Sequence, residues 1–206
     1  MADPNDINGD GISGVPNWIV LPPFISPNAN AISQNGRYIH RFGKKAAAYS
    51  LLHQIVNAYN QDIGITSSFD PKDVYSGLNI DPEVSDLTIS NVVFYLQTLK
   101  APIQRDQNNA DVIQGKNLFI QAGCESCHKQ ALRTGFSNIE PLSNKIFHPY
   151  TDLLLHDMGT GLNDGYPEVN AKTCKCRTPP IWEVGLSQNS HGGEYFLLHE
   201  EKTKSI

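Results

Sequence analysis

No apolar run in this chain is long enough to cross a membrane as a helix. The longest, Trp18–Val20 to Phe24 and Val92–Leu96, are short or broken by proline, whereas a span needs about 20 residues. Basic charge is scarce too: 16 Lys and Arg stand against 21 Asp and Glu, a formal −5. Without a basic stripe to neutralise phosphates, nucleic acid is excluded as a partner. The opening Met1-Ala2-Asp3-Pro4 lacks a basic start and an apolar h-region, so no secretion signal is visible. Either a signal has been removed or residue 1 is not the natural start, and the second reading is favoured. Nucleotide fingerprints, phosphate loops and catalytic triads are missing as well, so a bound group must carry any chemistry. Alternating β-branched stretches are few, which predicts a mostly α architecture with long loops.

What is present is ordinary for a folded protein: 39% hydrophobic and 18% charged residues. The 206 residues can hold one large domain or two small ones. Helical spacing of Ala48, Leu51, Leu52, Ile55 and Tyr59 predicts a helix over Lys44–Asn60. A second is predicted over Glu83–Lys100, with Pro82 at its start and Pro102 beyond its end. Residues 101–109 are polar and linker-like, which places a domain boundary near 105. A third helix is predicted over Ala110–Gln121, ending at Gly123. A short fourth, Thr151–Asp157, would be capped by Thr151 and closed by Gly159. Loops this long need an organiser, and a large buried cofactor would serve.

The pattern Cys124-Glu125-Ser126-Cys127-His128 is the c-type haem signature. Two thiols must reach the two vinyl groups on one porphyrin edge, and one turn of chain sets them at that separation. The adjacent histidine then serves as the proximal iron ligand. A zinc half-site completed by Cys174 and Cys176 is one competing reading. A thioredoxin-like redox pair is another, but it needs a preceding strand where a helix is predicted. The upstream run Asp111-Val112-Ile113-Gln114-Gly115-Lys116-Asn117-Leu118-Phe119 resembles the first helix of a class I cytochrome c and favours covalently bound haem c. Apart from Met1, Met158 is the only methionine, and it is the favoured second iron ligand. His156 competes, but two positions along a helix point about 200° apart, so only one can face the iron.

Other clusters carry weaker signals. Asp6, Asn8 and Asp10 alternate before Gly11 as in a calcium loop. The twelfth position is Asn17 rather than glutamate, so affinity would be weak, and an Asx-rich turn that binds nothing explains the pattern equally well. Cys174 and Cys176 are poorly spaced for a mutual bond, and free thiols or contacts outside the chain are the favoured reading. The Arg177 guanidinium suits a haem propionate, and Trp182 suits haem packing or the core.

Several strings in order carry a family resemblance over nearly the whole chain. They are Asp6-Ile7-Asn8-Gly9-Asp10-Gly11-Ile12-Ser13-Gly14, Arg41-Phe42-Gly43 and Asp62-Ile63-Gly64-Ile65-Thr66-Ser67. After the haem motif follow Pro149-Tyr150-Thr151-Asp152-Leu153-Leu154-Leu155-His156-Asp157-Met158-Gly159 and Arg177-Thr178-Pro179-Pro180-Ile181-Trp182. The chain resembles the bacterial di-haem oxidoreductases, also called thiol oxidoreductases, which are related to di-haem cytochrome c peroxidases. The resemblance implies a periplasmic protein with two haems, a peroxidase-like reaction and an unidentified redox partner protein. A non-catalytic electron carrier is the alternative. Since the chain has one attachment motif, residues 1–104 are expected to be the remainder of a first cytochrome c-like domain. Residues 105–206 would form a class I cytochrome c-like haem domain lacking its final helix, with Phe196-Leu197-Leu198-His199 leading toward it. A short parallel between 60–66 and 156–161 puts Ile63 in the place of Met158.

Overall fold

The computed structural model describes residues 3–101, 103–182, 184–190 and 192–194. They form two compact units, one of residues 16–100 with 168–171 and one of residues 3–15, 101–167 and 172–194. The mostly α, class I cytochrome c-like expectation is not met. Only 27% of the structure is helical and 14% is strand, a small mixed α/β arrangement with four short helices among the described residues. The segment Phe196–His199 and any helix after it lie outside the described residues.

In the first unit, β1 (Asn17–Ile19), β2 (Ser33–Gln34) and β3 (Arg37–His40) form an antiparallel sheet in the order β1-β3-β2. Asn17 pairs with His40 and Gln34 with Arg37. Asn35 and Gly36 close the β2–β3 hairpin with φ of 50° and 72°, the left-handed pair that a two-residue turn requires. Helix α1 covers only Leu51–Asn57, followed by a π-helical turn over Ala58–Asp62. The predicted start at Lys44 fails because residues 41–48 satisfy their backbone elsewhere. Phe42 and Ala48 form a bridge, and the buried Asn17 amide donates to the carbonyls of Lys45 and Ala46. Ser50 therefore becomes the cap, its Oγ accepting the His53 N–H. Helix α2 (Asp86–Gln97) is capped in the same way by Ser85. The two helices pack through Ile55, Val56 and Ile89, with Phe24, Phe69 and Val93 around them.

In the second unit, α3 occupies the predicted Ala110–Gln121, with the Asn109 side chain accepting the Asp111 N–H. Gly123, at φ 76°, turns the chain out of the helix into a 3₁₀ turn over Cys124–Ser126. Strands β4 (Leu132–Arg133) and β5 (Ile146–Phe147) form one two-stranded sheet, and β6 (Leu155–Asp157) and β7 (Lys175–Arg177) another. The predicted helix Thr151–Asp157 is therefore a loop leading into a strand. Leu155 exchanges both backbone bonds with Val15 at 2.9 Å while its strand pairs with β7 on the other side. Thr151, expected as a helix cap, instead donates its hydroxyl to the Thr178 carbonyl at 2.6 Å. With no helix before 156–161, the parallel to residues 60–66 loses its structural basis. Helix α4 is the short segment Ser187–Ser190.

Candidate haem-attachment site

The turn after α3 presents Cys124 exposed and Cys127 half-buried, both free thiols. The His128 N–H bonds back to the Cys124 carbonyl at 3.0 Å, which sets the motif into one turn. The imidazole is held from its other end. Its Nδ1–H donates to the Tyr150 carbonyl at 2.7 Å, which leaves Nε2 as the nitrogen with a free lone pair. A carbonyl on the far nitrogen is how proteins fix the tautomer and direction of a metal-binding histidine. Tyr150 turns that carbonyl inward by adopting φ 54°, and Leu153 follows at φ 59°. Such conformations cost bulky residues on the order of 1–3 kcal/mol each. Phe119 of α3 lies edge-on to both rings, 6.3 Å from His128 and 5.8 Å from Tyr150.

Around this turn the donor set and surroundings suit a haem. Two thiols and one oriented imidazole share a turn, beneath a helix that leaves Ile113, Leu118 and Ile120 exposed. No side chain of α3 is fully buried, so its apolar positions have room for a large flat group. A cleft of ≈ 950 Å³ in the same unit is walled by Val112, Phe147, Tyr150, Ile181 and Trp182. Trp182 donates its indole N–H to the His148 carbonyl there. The tryptophan is thus a wall residue of this cleft, edge-on to Phe147 at 6.1 Å.

His156 is committed to other partners. Its Nε2 is 2.8 Å from the Asp152 carboxylate and its Nδ1 is 3.7 Å from Cys127 Sγ. Both residues of the ion pair are buried. Burial alone would depress the imidazole, but the Asp152 and Cys127 partners outweigh it and raise the pKa to about 9. Asp152 shifts down: burial opposes this, and the His156 bond overcomes it. A Cβ on Gly14 would stand 2.9 Å from the His156 ring, so the glycine lets the chain close over the imidazole. The helical argument against His156 therefore does not apply, since β6 is a strand. Another one replaces it: Nε2 is held by the buried Asp152 carboxylate.

Met158 follows β6, half-buried, with its N–H donating to the Cys174 carbonyl at 2.9 Å. Arg177 lies on β7, half-buried, and donates to the Thr178 carbonyl at 3.2 Å. Burial lowers its pKa against the opposing charge of Asp152. Neighbouring Cys176 is buried, while Cys174 directs its thiol to Asp157 at 3.4 Å. The Asp6, Asn8 and Asp10 side chains accept bonds from the loop's own Gly11, Asp10 and Ile12 N–H groups. The Ile12 N–H bond draws the Asp10 carboxyl below its usual range. Those bonds are the ones an Asx-rich turn makes by itself. Among the described residues, no group of three or more His, Cys, Asp or Glu side chains is arranged to hold a metal ion.

Comparison with known proteins decides the family. A profile of the family described as "di-haem oxidoreductase, putative peroxidase" matches residues 1–206. The chain belongs to the di-haem oxidoreductase family. Comparisons with curated proteins and with solved structures find no match. For a di-haem oxidoreductase, haem is the implied cofactor, and the His128 turn is where this chain's residues fit it. No helix among the described residues is long and apolar enough to cross a membrane.

Sequence reasoning passed over Tyr150 and Asp152. Tyr150 acts through a backbone carbonyl, which has no signature in a sequence. Asp152 and His156 stand four apart, a spacing that reads as an ordinary helix-face pair. Here the pair forms across a loop and a strand.

Proposed function

We propose that this chain is a periplasmic c-type cytochrome that binds haem covalently and passes electrons within a peroxidase-like, two-haem reaction. Cys124 and Cys127 would form the thioether links, His128 would be the proximal ligand and Met158 the distal one. The observation that carries the reading is the 2.7 Å bond from His128 Nδ1 to the Tyr150 carbonyl. It leaves Nε2 bare and directed, as an iron ligand requires. Haem supplies one-electron chemistry, and methionine as the second ligand raises its potential relative to histidine. Tyr150 and Phe119 orient the imidazole, and the Asp152–His156 pair keeps His156 off the iron. Arg177 is the proposed propionate partner, and the electron donor or acceptor is a separate redox protein.

The test is direct. Expressed with cytochrome c maturation machinery, the chain is expected to stain for haem on denaturing gels. Replacing Cys124 and Cys127 by alanine should abolish the stain. A colourless wild-type protein with stoichiometric zinc would overturn the assignment.

A further inference from the structure

The two cysteines of the attachment turn do not stand alike. Cys124 is exposed and open to water, whereas Cys127 is half-buried. Cys127 Sγ lies 3.7 Å from Nδ1 of His156, within the longer reach of a sulfur hydrogen bond. The other ring nitrogen is fixed. Nε2 is 2.8 Å from the Asp152 carboxylate, and the two side chains are only 7% and 1% exposed. An ionised carboxylate can only accept, so Nε2 carries a proton and the neutral ring turns its Nδ1 lone pair to the thiol. Thiol, imidazole and carboxylate thus stand in the order of nucleophile, base and orienting group.

Several contacts hold this imidazole in one place. Asp152 is itself set by the Leu154 N–H, which donates to its second oxygen at 3.0 Å. Gly14 lets the chain pass over the ring, where a Cβ would stand 2.9 Å from it. His156 also lies on β6, paired with Cys176 of β7, so its backbone is anchored in a sheet. A buried ion pair adds little stability over apolar side chains of the same volume. Stability therefore gives little reason for a histidine and an aspartate here. The reactive group that the pair does reach is Cys127 Sγ.

We propose that His156, oriented by Asp152, prepares Cys127 for thioether formation with a haem vinyl group. The inference rests on the covalent haem reading above and adds to it a residue for the attachment step. In that step Cys127 Sγ bonds to the vinyl carbon next to the porphyrin ring while the C=C π bond breaks. The proton shared by Sγ and Nδ1 ends on the terminal vinyl carbon. Such an addition consumes no oxidant and no reductant. His156 leaves it as it began, neutral, with Nε2–H still on Asp152. Asp152 touches no reacting atom and is a positioning residue. Cys124, open to water, needs no such partner.

The experiment matures the full chain in cells carrying cytochrome c maturation machinery, digests it and weighs the haem peptide. Wild type is expected to hold two thioethers. His156→Phe should hold one, at Cys124, with most of the Cys127 thiol still open to alkylation. Its pyridine haemochrome band should move to longer wavelength, because one vinyl group stays on the porphyrin. His156→Asn, whose amide lies about where Nδ1 does, should restore the second link. A merely structural role would not act on one cysteine alone. Two links in His156→Phe, or in His156→Leu where the phenylalanine variant does not accumulate, would overturn this proposal and leave the haem reading intact. Loss of both links in every His156 variant would overturn it too. Wild type without covalent haem would remove the haem reading and this proposal together.

Discussion

Tyr150 contributes to the candidate site through an atom that every residue possesses. At φ 54° its carbonyl is turned onto His128, and the ring beside Phe119 fills the space behind. His156 illustrates the complementary effect, a histidine kept away from a metal by its own hydrogen bonds. Its Asp152 partner holds Nε2, and Met158 is the second ligand in the proposed centre. The oxidised, haem-loaded protein is therefore expected to show the near-infrared sulfur-to-iron band of histidine–methionine coordination. Met158→Ala should remove the band and lower the potential, while His156→Phe should leave it in place. A band that survives Met158→Ala would exclude the ligand assignment.

Between Tyr150 and Arg177 the unit of explanation becomes the strand. Leu153-Leu154-Leu155 has no strong local preference against helix, yet β6 forms because Val15 and β7 offer backbone partners on both sides. Thr151 secures the entry. It is fully buried, donates to the Thr178 carbonyl and accepts the Leu153 N–H at 3.0 Å. Thr151→Val keeps the shape and removes both bonds, which should destabilise the protein by about 1–3 kcal/mol. Urea unfolding would measure this, and a loss below a few tenths would show that the strand does not depend on the hydroxyl. The helices behaved differently. α3 was readable to its ends because Asn109 and Gly123 are local signals, whereas α1 begins late because Asn17 and Phe42 hold the preceding backbone.

For the whole molecule, the buried histidines of the first unit tie stability to pH. Burial, with a smaller contribution from His40, lowers the His53 pKa to about 4, and burial lowers His40 as well. An unfolded histidine binds its proton near pH 6.5, so these groups favour the folded state fully above that pH. Their contribution is lost as pH falls from about 6.5 to 4, roughly 3 kcal/mol for His53 alone. Melting temperatures should drop across this window, and His53→Phe should flatten the drop; an unchanged slope would contradict it. If the proposed ligands His128 and Met158 close the iron, the chain by itself is also expected to consume peroxide slowly. Rapid turnover by the unmodified protein would instead make the haem at Cys124 and Cys127 the reactive one. Much of this was legible without coordinates: the Cys124–His128 pattern, the single internal methionine, the span of α3 and the strings shared with the family are all local or ordered features. They are read from neighbouring residues and need no knowledge of what folds beside them. The mixed α/β class, strand β6, the carbonyl behind His128 and the partners of His156 were decided by tertiary structure. Each depends on residues that meet from distant positions, Val15 with Leu155, Thr151 with Thr178, Cys127 with His156, and such pairings outweigh the weak local preferences of the chain between them.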